Sequence, residues 1–317
     1  MKILDCTLRD GGFRTDFNWN LDFAKRYYQL MTKFNVPYIE LGYWKQTAKS
    51  KNPFYNFDYK TLEYITDGVS KPNVSIIVDY HYCSKKIEDY PKKFQTNISM
   101  LRMTARKEDM PEALKFIDLL KEKTDLDISF QIINITNYSK KELKETIDQI
   151  IKRNIFYLYF ADSHGNLNLL EDYKNLSDSI NLLREHKIKV GFHLHNHTNR
   201  ALMNYHICKS NNIDMTDTSF LGMGKGGGNL KFEDIIINEH LIELLNFFKK
   251  EKSYLADSSG KESYSGRYLY DIITGRLSIT DNYATLAFKK KMDLSDFYNK
   301  CLAIRGEDRD TFNENLL

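Results

Sequence analysis

The feature that most constrains this chain is a repeated alternation of short β-rich runs with longer amphipathic helical runs. Strand candidates stand at 2–7, 37–41, 74–79, 98–103, 127–133, 156–161, 189–195 and 215–220. Each is short and bounded by turn residues. The run 108–123 between two of them carries Ala113, Leu114, Ile117 and Leu120 at helical spacing. Ser139 followed by Glu142 reads as a capping box opening the helical run 139–152. Eight such units predict an α/β protein, a closed (β/α)8 TIM barrel over 1–248. An open doubly wound sheet alternates in the same way. Residues 249–317 begin with a polar stretch that includes Asp257, Ser258, Ser259 and Gly260, and then read as a helical appendage packed on the barrel.

Apolar residues make up 42% of the 317 positions, enough for a large core, and the formal net charge is only +3. Basic residues are spread along the chain, without the concentrated stripe of a nucleic-acid binder. No run approaches the roughly 18 apolar residues that span a membrane, and the N-terminus lacks a secretory pattern. Cys6, Cys83, Cys208 and Cys301 are far apart, with no C-x-x-C pair. Reduced thiols in a cytoplasm are the expectation.

A parallel barrel does its chemistry at the C-terminal ends of its strands. After the first comes Thr7-Leu8-Arg9-Asp10-Gly11-Gly12, a cation and a carboxylate before two glycines. A solvated loop with a surface ion pair would look the same. The seventh run ends in His193-Leu194-His195-Asn196-His197. Residues two apart on a strand share a face, so His193 and His195 converge in the barrel mouth. With Asp10 they suit a catalytic divalent ion. A plain hydrogen-bonded histidine pair is the bland alternative, and His197 reads as past the strand. After the eighth run, Gly222-Met223-Gly224-Lys225-Gly226-Gly227-Gly228-Asn229 reads as a substrate-covering loop or a hinge. It has neither the Rossmann nor the P-loop pattern.

Together these motifs resemble the DRE-TIM metallolyases, which include hydroxymethylglutaryl-CoA lyase, isopropylmalate and homocitrate synthases and 4-hydroxy-2-oxovalerate aldolase. The resemblance covers about the first 245 residues. It rests on T-L-R-D-G at 7–11, I-E-L-G at 39–42, H-L-H-N at 193–196 and G-M-G-K-G-G-G-N at 222–229. It implies Asp10, His193 and His195 as metal ligands, with Asn229 as a fourth ligand or a supporting residue. It implies Arg9 facing an enolate oxygen and Glu40 holding Arg9. The cofactor implied is Mn2+ or Mg2+, with Co2+ or Zn2+ as alternatives.

The pattern departs from the family at one informative place. Where the hydroxy-oxovalerate aldolases carry a histidine base, this chain has Phe13, and Gly12 replaces the Gln or Glu of many synthases. The proton carrier must then come from another strand end or from metal-bound water. His81 and Asp162 rank first, ahead of Tyr43 and His164; Tyr43, His164, Gly226 and Gly227 are expected to contact substrate. Ala161 stands where biotin-dependent carboxyltransferases place a metal-binding lysine, which argues against that branch. The leading expectation is a metal-dependent aldolase or lyase working through a pyruvate-type enolate of a 2-oxo acid, with a small-molecule substrate and no nucleic-acid or membrane partner. A Claisen-type acyl-CoA enzyme is the first alternative, and a non-catalytic sugar- or acid-binding barrel the second. A homodimer is left open.

Overall fold

The computed structural model describes residues 1–44, 52–69, 73–92, 97–153, 155–256 and 267–317. Eight parallel strands close into a barrel in sequence order. They are β1 (Lys2–Asp5), β2 (Tyr38–Tyr43), β3 (Val74–Asp79), β4 (Ile98–Ala105), β5 (Asp127–Ile132), β6 (Tyr157–Asp162), β7 (Lys189–Leu194) and β8 (Met215–Thr218). Pairing of β1 with β8, from Lys2↔Met215 to Asp5↔Thr218, completes the ring. Both faces of these strands are covered, which is why they read as apolar runs broken only at special inward positions.

Helices separate most of the strands, among them Leu21–Lys33, Met110–Thr124, Lys140–Ile150, Leu169–Glu185 and Ala201–Ser210. The capping box forms at Ser139 and Glu142. Between β3 and β4, the described residues hold one 3-10 turn, Ile87–Asp89, and no α-helix. The chain divides into two compact units, Met1–Asp234 and Ile235–Leu317. The second contains the helices Asn238–Glu251, Tyr268–Leu277, Asn282–Lys289 and Leu294–Ala303. Tyr270 and Phe297 meet in its interior with ring centroids 5.4 Å apart. The polar stretch 257–260 lies outside the described residues.

Two boundaries differ from the sequence expectation in ways that shape the site. β1 stops at Asp5, and Thr7–Asp10 forms a single helical turn. The Asp5 carboxylate accepts the Thr7 backbone N–H at 3.1 Å and the Thr7 hydroxyl at 2.9 Å, folding the chain back on itself. Trp19 Nε1 donates to Leu8 O at 2.8 Å and pins the same turn. β7 stops at Leu194, and His195 forms an antiparallel bridge with Asn229.

Inward-facing residues alternate along each strand. Asp79, Thr104 and Gln131 are neighbours across β3, β4 and β5, and Gln131 continues to Tyr159 and Gly191. One register step away, Ala161 stands beside His193. The bottom of the barrel is apolar, built around Leu4, Cys6, Met100, Tyr157, Tyr159 and Met215. Polar residues fill the layers above.

Candidate active site

His193 and His195 leave β7 on its inward face, and the helical turn after β1 carries Asp10 to them. One ligand atom from each of the three lies within 4.8 Å of the others. His193 Nε2 is 3.2 Å from His195 Nε2 and 3.9 Å from Asp10 Oδ2. The other ring nitrogen of His193, Nδ1, donates to Asp217 Oδ2 at 2.8 Å. That bond puts the proton on Nδ1 and leaves the Nε2 lone pair pointing into the cluster.

The charge states suit a cation. Burial, with His193 beside it, pulls the His195 imidazole down to about 3, so the ring is neutral. Burial opposes ionisation of Asp10, but Arg9, His193, His195 and the Asn229 amide outweigh it and hold the carboxyl well below the usual range. Asp217 is lowered too, because Arg102 and His193 overcome its burial. Asn229 offers a fourth donor. Its Nδ2 donates to Asp10 Oδ2 at 2.7 Å and to Met223 O at 3.1 Å. Its Oδ1 is therefore the free end, buried and without a hydrogen-bond partner. An unsatisfied buried oxygen costs about 1–3 kcal/mol, and a divalent ion would satisfy it. This donor set fits a hard or borderline cation. The glycine run matters for closeness: a Cβ at Gly224 would stand 2.5 Å from Asn229 Nδ2 and 2.6 Å from Asp10 Oδ2.

Beneath the cluster runs a closed chain of alternating charge. Arg9 Nη1 reaches Asp10 Oδ1 at 2.5 Å, and Arg9 Nε reaches Glu40 Oε1 at 2.6 Å. Glu40 Oε2 pairs with Arg102 Nη1 at 3.0 Å, and Arg102 Nη2 pairs with Asp217 Oδ2 at 2.6 Å. Asp217 then returns to His193. The Arg102 guanidinium also lies 4.2 Å from the Tyr159 ring centroid, and its Nη2 donates to Gln131 Oε1 at 3.0 Å. These charged side chains are buried, so each depends on its neighbours for solvation. Sequence reasoning missed Arg102 and Asp217. The signal was an arginine inside the apolar run I-S-M-L-R-M-T-A, at the same parity as Met100.

Above the cluster opens a cavity of about 850 Å³. Arg9, Asp10, His193 and His195 line it, as do Phe13, Tyr43, Tyr55 and Tyr82. Arg9 Nη2 is buried and has no hydrogen-bond partner. Arg106 and Lys225 add two further cations to the wall, and Asp79 adds a carboxylate. Phe13 stands in the wall where the resemblance looks for a histidine, with Lys225 Nζ 5.7 Å from its ring centroid.

The other sequence candidates fall in different places. Tyr43 is in the wall, and Glu40 acts from below through Arg9. His81 is outside the wall; its exposed ring places Nδ1 3.1 Å from Asp109 Oδ2. Asp162 is also outside, because the residue after an inward Ala161 faces outward. Its carboxylate accepts the backbone N–H groups of Asn166 and Leu167, both at 3.1 Å. His164 is exposed and not in the wall. Gly226 and Gly227 pack against His197 rather than lining the cavity.

The HMGL-like family profile matches residues 1–248. The chain belongs to the HMGL-like family. It is thereby a member of the DRE-TIM metallolyase superfamily, an enzyme of the metal-dependent class that breaks or forms carbon–carbon bonds. Among curated proteins this HMGL-like chain is 21% identical over 236 residues to an oxaloacetate decarboxylase of Mycobacterium tuberculosis, covering 74% of this chain and 68% of that protein. It is 23% identical over 256 residues to a 2-isopropylmalate synthase of Oceanobacillus iheyensis, covering 75% of this chain but only 47% of the synthase. The HMG-CoA lyase structure of Bacillus subtilis superposes with a TM-score of 0.66 at 16% identity, over 84% of this chain and 95% of that one. Among the described residues, no helix is long and apolar enough to cross a membrane. All four cysteines are buried and free.

Proposed function

We propose that this protein is a divalent-metal-dependent aldolase or lyase. It makes or breaks the carbon–carbon bond next to the carbonyl of a 2-oxo acid, through a pyruvate-type enolate. The observation that carries this reading is Arg9: a buried guanidinium in the cavity wall, beside the Asp10–His193–His195 cluster, with Nη2 unpartnered. An enolate oxygen is the kind of acceptor such a donor lacks. Glu40 holds Arg9 Nε, so the fork is aimed before substrate arrives.

Asp10, His193 and His195 would hold the cation, with Asn229 Oδ1 available as a fourth donor; Mn2+ or Mg2+ suits this mixed set. When bound, the cation supplies Lewis acidity beside the oxygen on which negative charge collects. Arg106 and Lys225 favour an acidic small molecule in the cavity. The oxaloacetate decarboxylase among the relatives supports the same chemistry, since loss of carbon dioxide from oxaloacetate leaves the enolate of pyruvate.

The test is deuterium uptake into the methyl group of pyruvate, with Mn2+, Mg2+, Co2+ or Zn2+ supplied in turn. The parent is expected to exchange with at least one metal, Asp10→Ala with none, and Arg9→Lys more slowly than the parent. A parent inert with every metal would end the 2-oxo acid reading and favour an acyl-CoA substrate.

A further inference from the structure

The reaction needs a group that can take a proton from substrate and return one. Phe13 cannot, and His81 and Asp162 are outside the wall. Asp10 and Asp79 are the carboxylates that line the cavity among the described residues. Asp10 belongs to the ligand cluster.

Asp79 is the last residue of β3 and shares the inward parity of Ile77, which is also in the wall. Its strand neighbour Thr104 lines the same cavity. Tyr43, within electrostatic reach of Arg9, Asp10 and Asp79, lines the same cavity. A substrate seated on Arg9 therefore shares one cavity with Asp79. One hydrogen bond holds the carboxylate, from the His81 backbone N–H at 3.0 Å; among the described residues it makes no ion pair.

We propose that Asp79 is the proton carrier of this site, an inference that rests on the 2-oxo acid reading above. In the cleavage direction, its carboxylate takes the hydroxyl proton of a 4-hydroxy-2-oxo acid. The O–H electrons form the aldehyde C=O, the C3–C4 bond breaks, and its electron pair becomes the enolate. Asp79 then gives that proton to C3, yielding the methyl group of the 2-oxo acid, and is again a carboxylate. Condensation runs the same transfers backwards. No oxidant or further reactant is needed.

The surroundings of Asp79 suit both halves of the cycle. Burial pushes its carboxyl above the ordinary range, while the His81 N–H, Arg106 and the His81 ring pull it back. Asp109, Tyr43, Tyr55 and Cys83 face it from neighbouring segments.

The experiment compares the parent, Asp79→Asn and Asp79→Glu. Asp79→Asn keeps an acceptor for the His81 N–H but cannot carry the proton. Pyruvate exchange and cleavage of 4-hydroxy-2-oxopentanoate should both fall by about 10²–10⁴-fold. Cleavage by the parent should rise with pH as Asp79 ionises, and this limb should vanish in Asp79→Asn. Mn2+ binding followed by electron paramagnetic resonance, and binding of oxalate as an enolate mimic, should stay at the parent values. Asp79→Glu should recover part of the rate. Exchange and cleavage at the parent rate in Asp79→Asn overturn the assignment while leaving the 2-oxo acid reading intact. Loss of Mn2+ or oxalate binding together with the rate also overturns it, since Asp79 would then support the site's structure. A parent inert in both assays with every metal overturns both readings.

Discussion

β3 and β6 both end in an aspartate, Asp79 and Asp162, and both carboxylates accept backbone N–H groups from the loop that follows. Only Asp79 faces the cavity. The difference is one residue of parity. Asp79 is in step with Ile77 on the inward face, whereas in β6 the inward residue is Ala161, beside His193. Asp162 is therefore paired with Leu194 and spends both oxygens on the loop. Burial raises the carboxyl of both, so a raised carboxyl alone does not mark a proton carrier. Access to the cavity separates them.

The largest effect should come from the metal cluster, which both aspartates depend on for any role in turnover. Asp10→Ala removes one proposed ligand and the partner of Arg9 and Asn229. Mn2+ binding should be lost, and with it pyruvate exchange to background. Exchange surviving in this variant would refute the cluster as the catalytic centre.

The comparison itself is tested by Asp162→Asn, to be set beside Asp79→Asn. Asp162→Asn should keep turnover per folded molecule within a few-fold of the parent. Thermal or urea unfolding should show a loss of about 1–3 kcal/mol, because one buried N–H acceptor is weakened. A rate loss as large as that of Asp79→Asn, without a stability change, would reverse the two roles.

The buried charge chain gives a third measurement. Arg102→Met leaves Glu40 and Asp217 facing each other without their common partner. Breaking such a buried pair is expected to destabilise the barrel by about 3–5 kcal/mol in urea unfolding. Asp217→Asn is milder: it weakens the acceptor that orients His193, and should lower Mn2+ affinity roughly 10–100-fold. Unchanged affinity there would mean that His193 is oriented by packing alone.

A pH-dependent effect concerns Asp5, outside the cavity, whose carboxylate accepts the hydroxyls of Thr7 and Tyr27. Burial pushes its carboxyl up to about 7. The folded state thus holds a proton that the unfolded chain releases near pH 4. The contribution is fully present below that pH and is lost as pH rises through about 7. Melting temperatures of the parent should fall between pH 5 and 8 by more than those of Asp5→Asn. Parallel curves for the two would remove Asp5 as the source of this slope.

Eight alternating units, the capping box at Ser139 and the shared face of His193 and His195 were legible in the sequence, because period 2 and period 3.6 patterns are local properties of the backbone. The convergence of Arg9, Asp10 and Glu40 could be expected only through motif resemblance, since no local rule links residue 9 to residue 40. Arg102 and Asp217 were hidden, because a buried charge is explained by partners from distant strands. The choice between Asp79 and Asp162 was hidden for a related reason. Two strands that both end in aspartate look alike until interstrand register decides which residue points inward, and register is set only when the barrel closes.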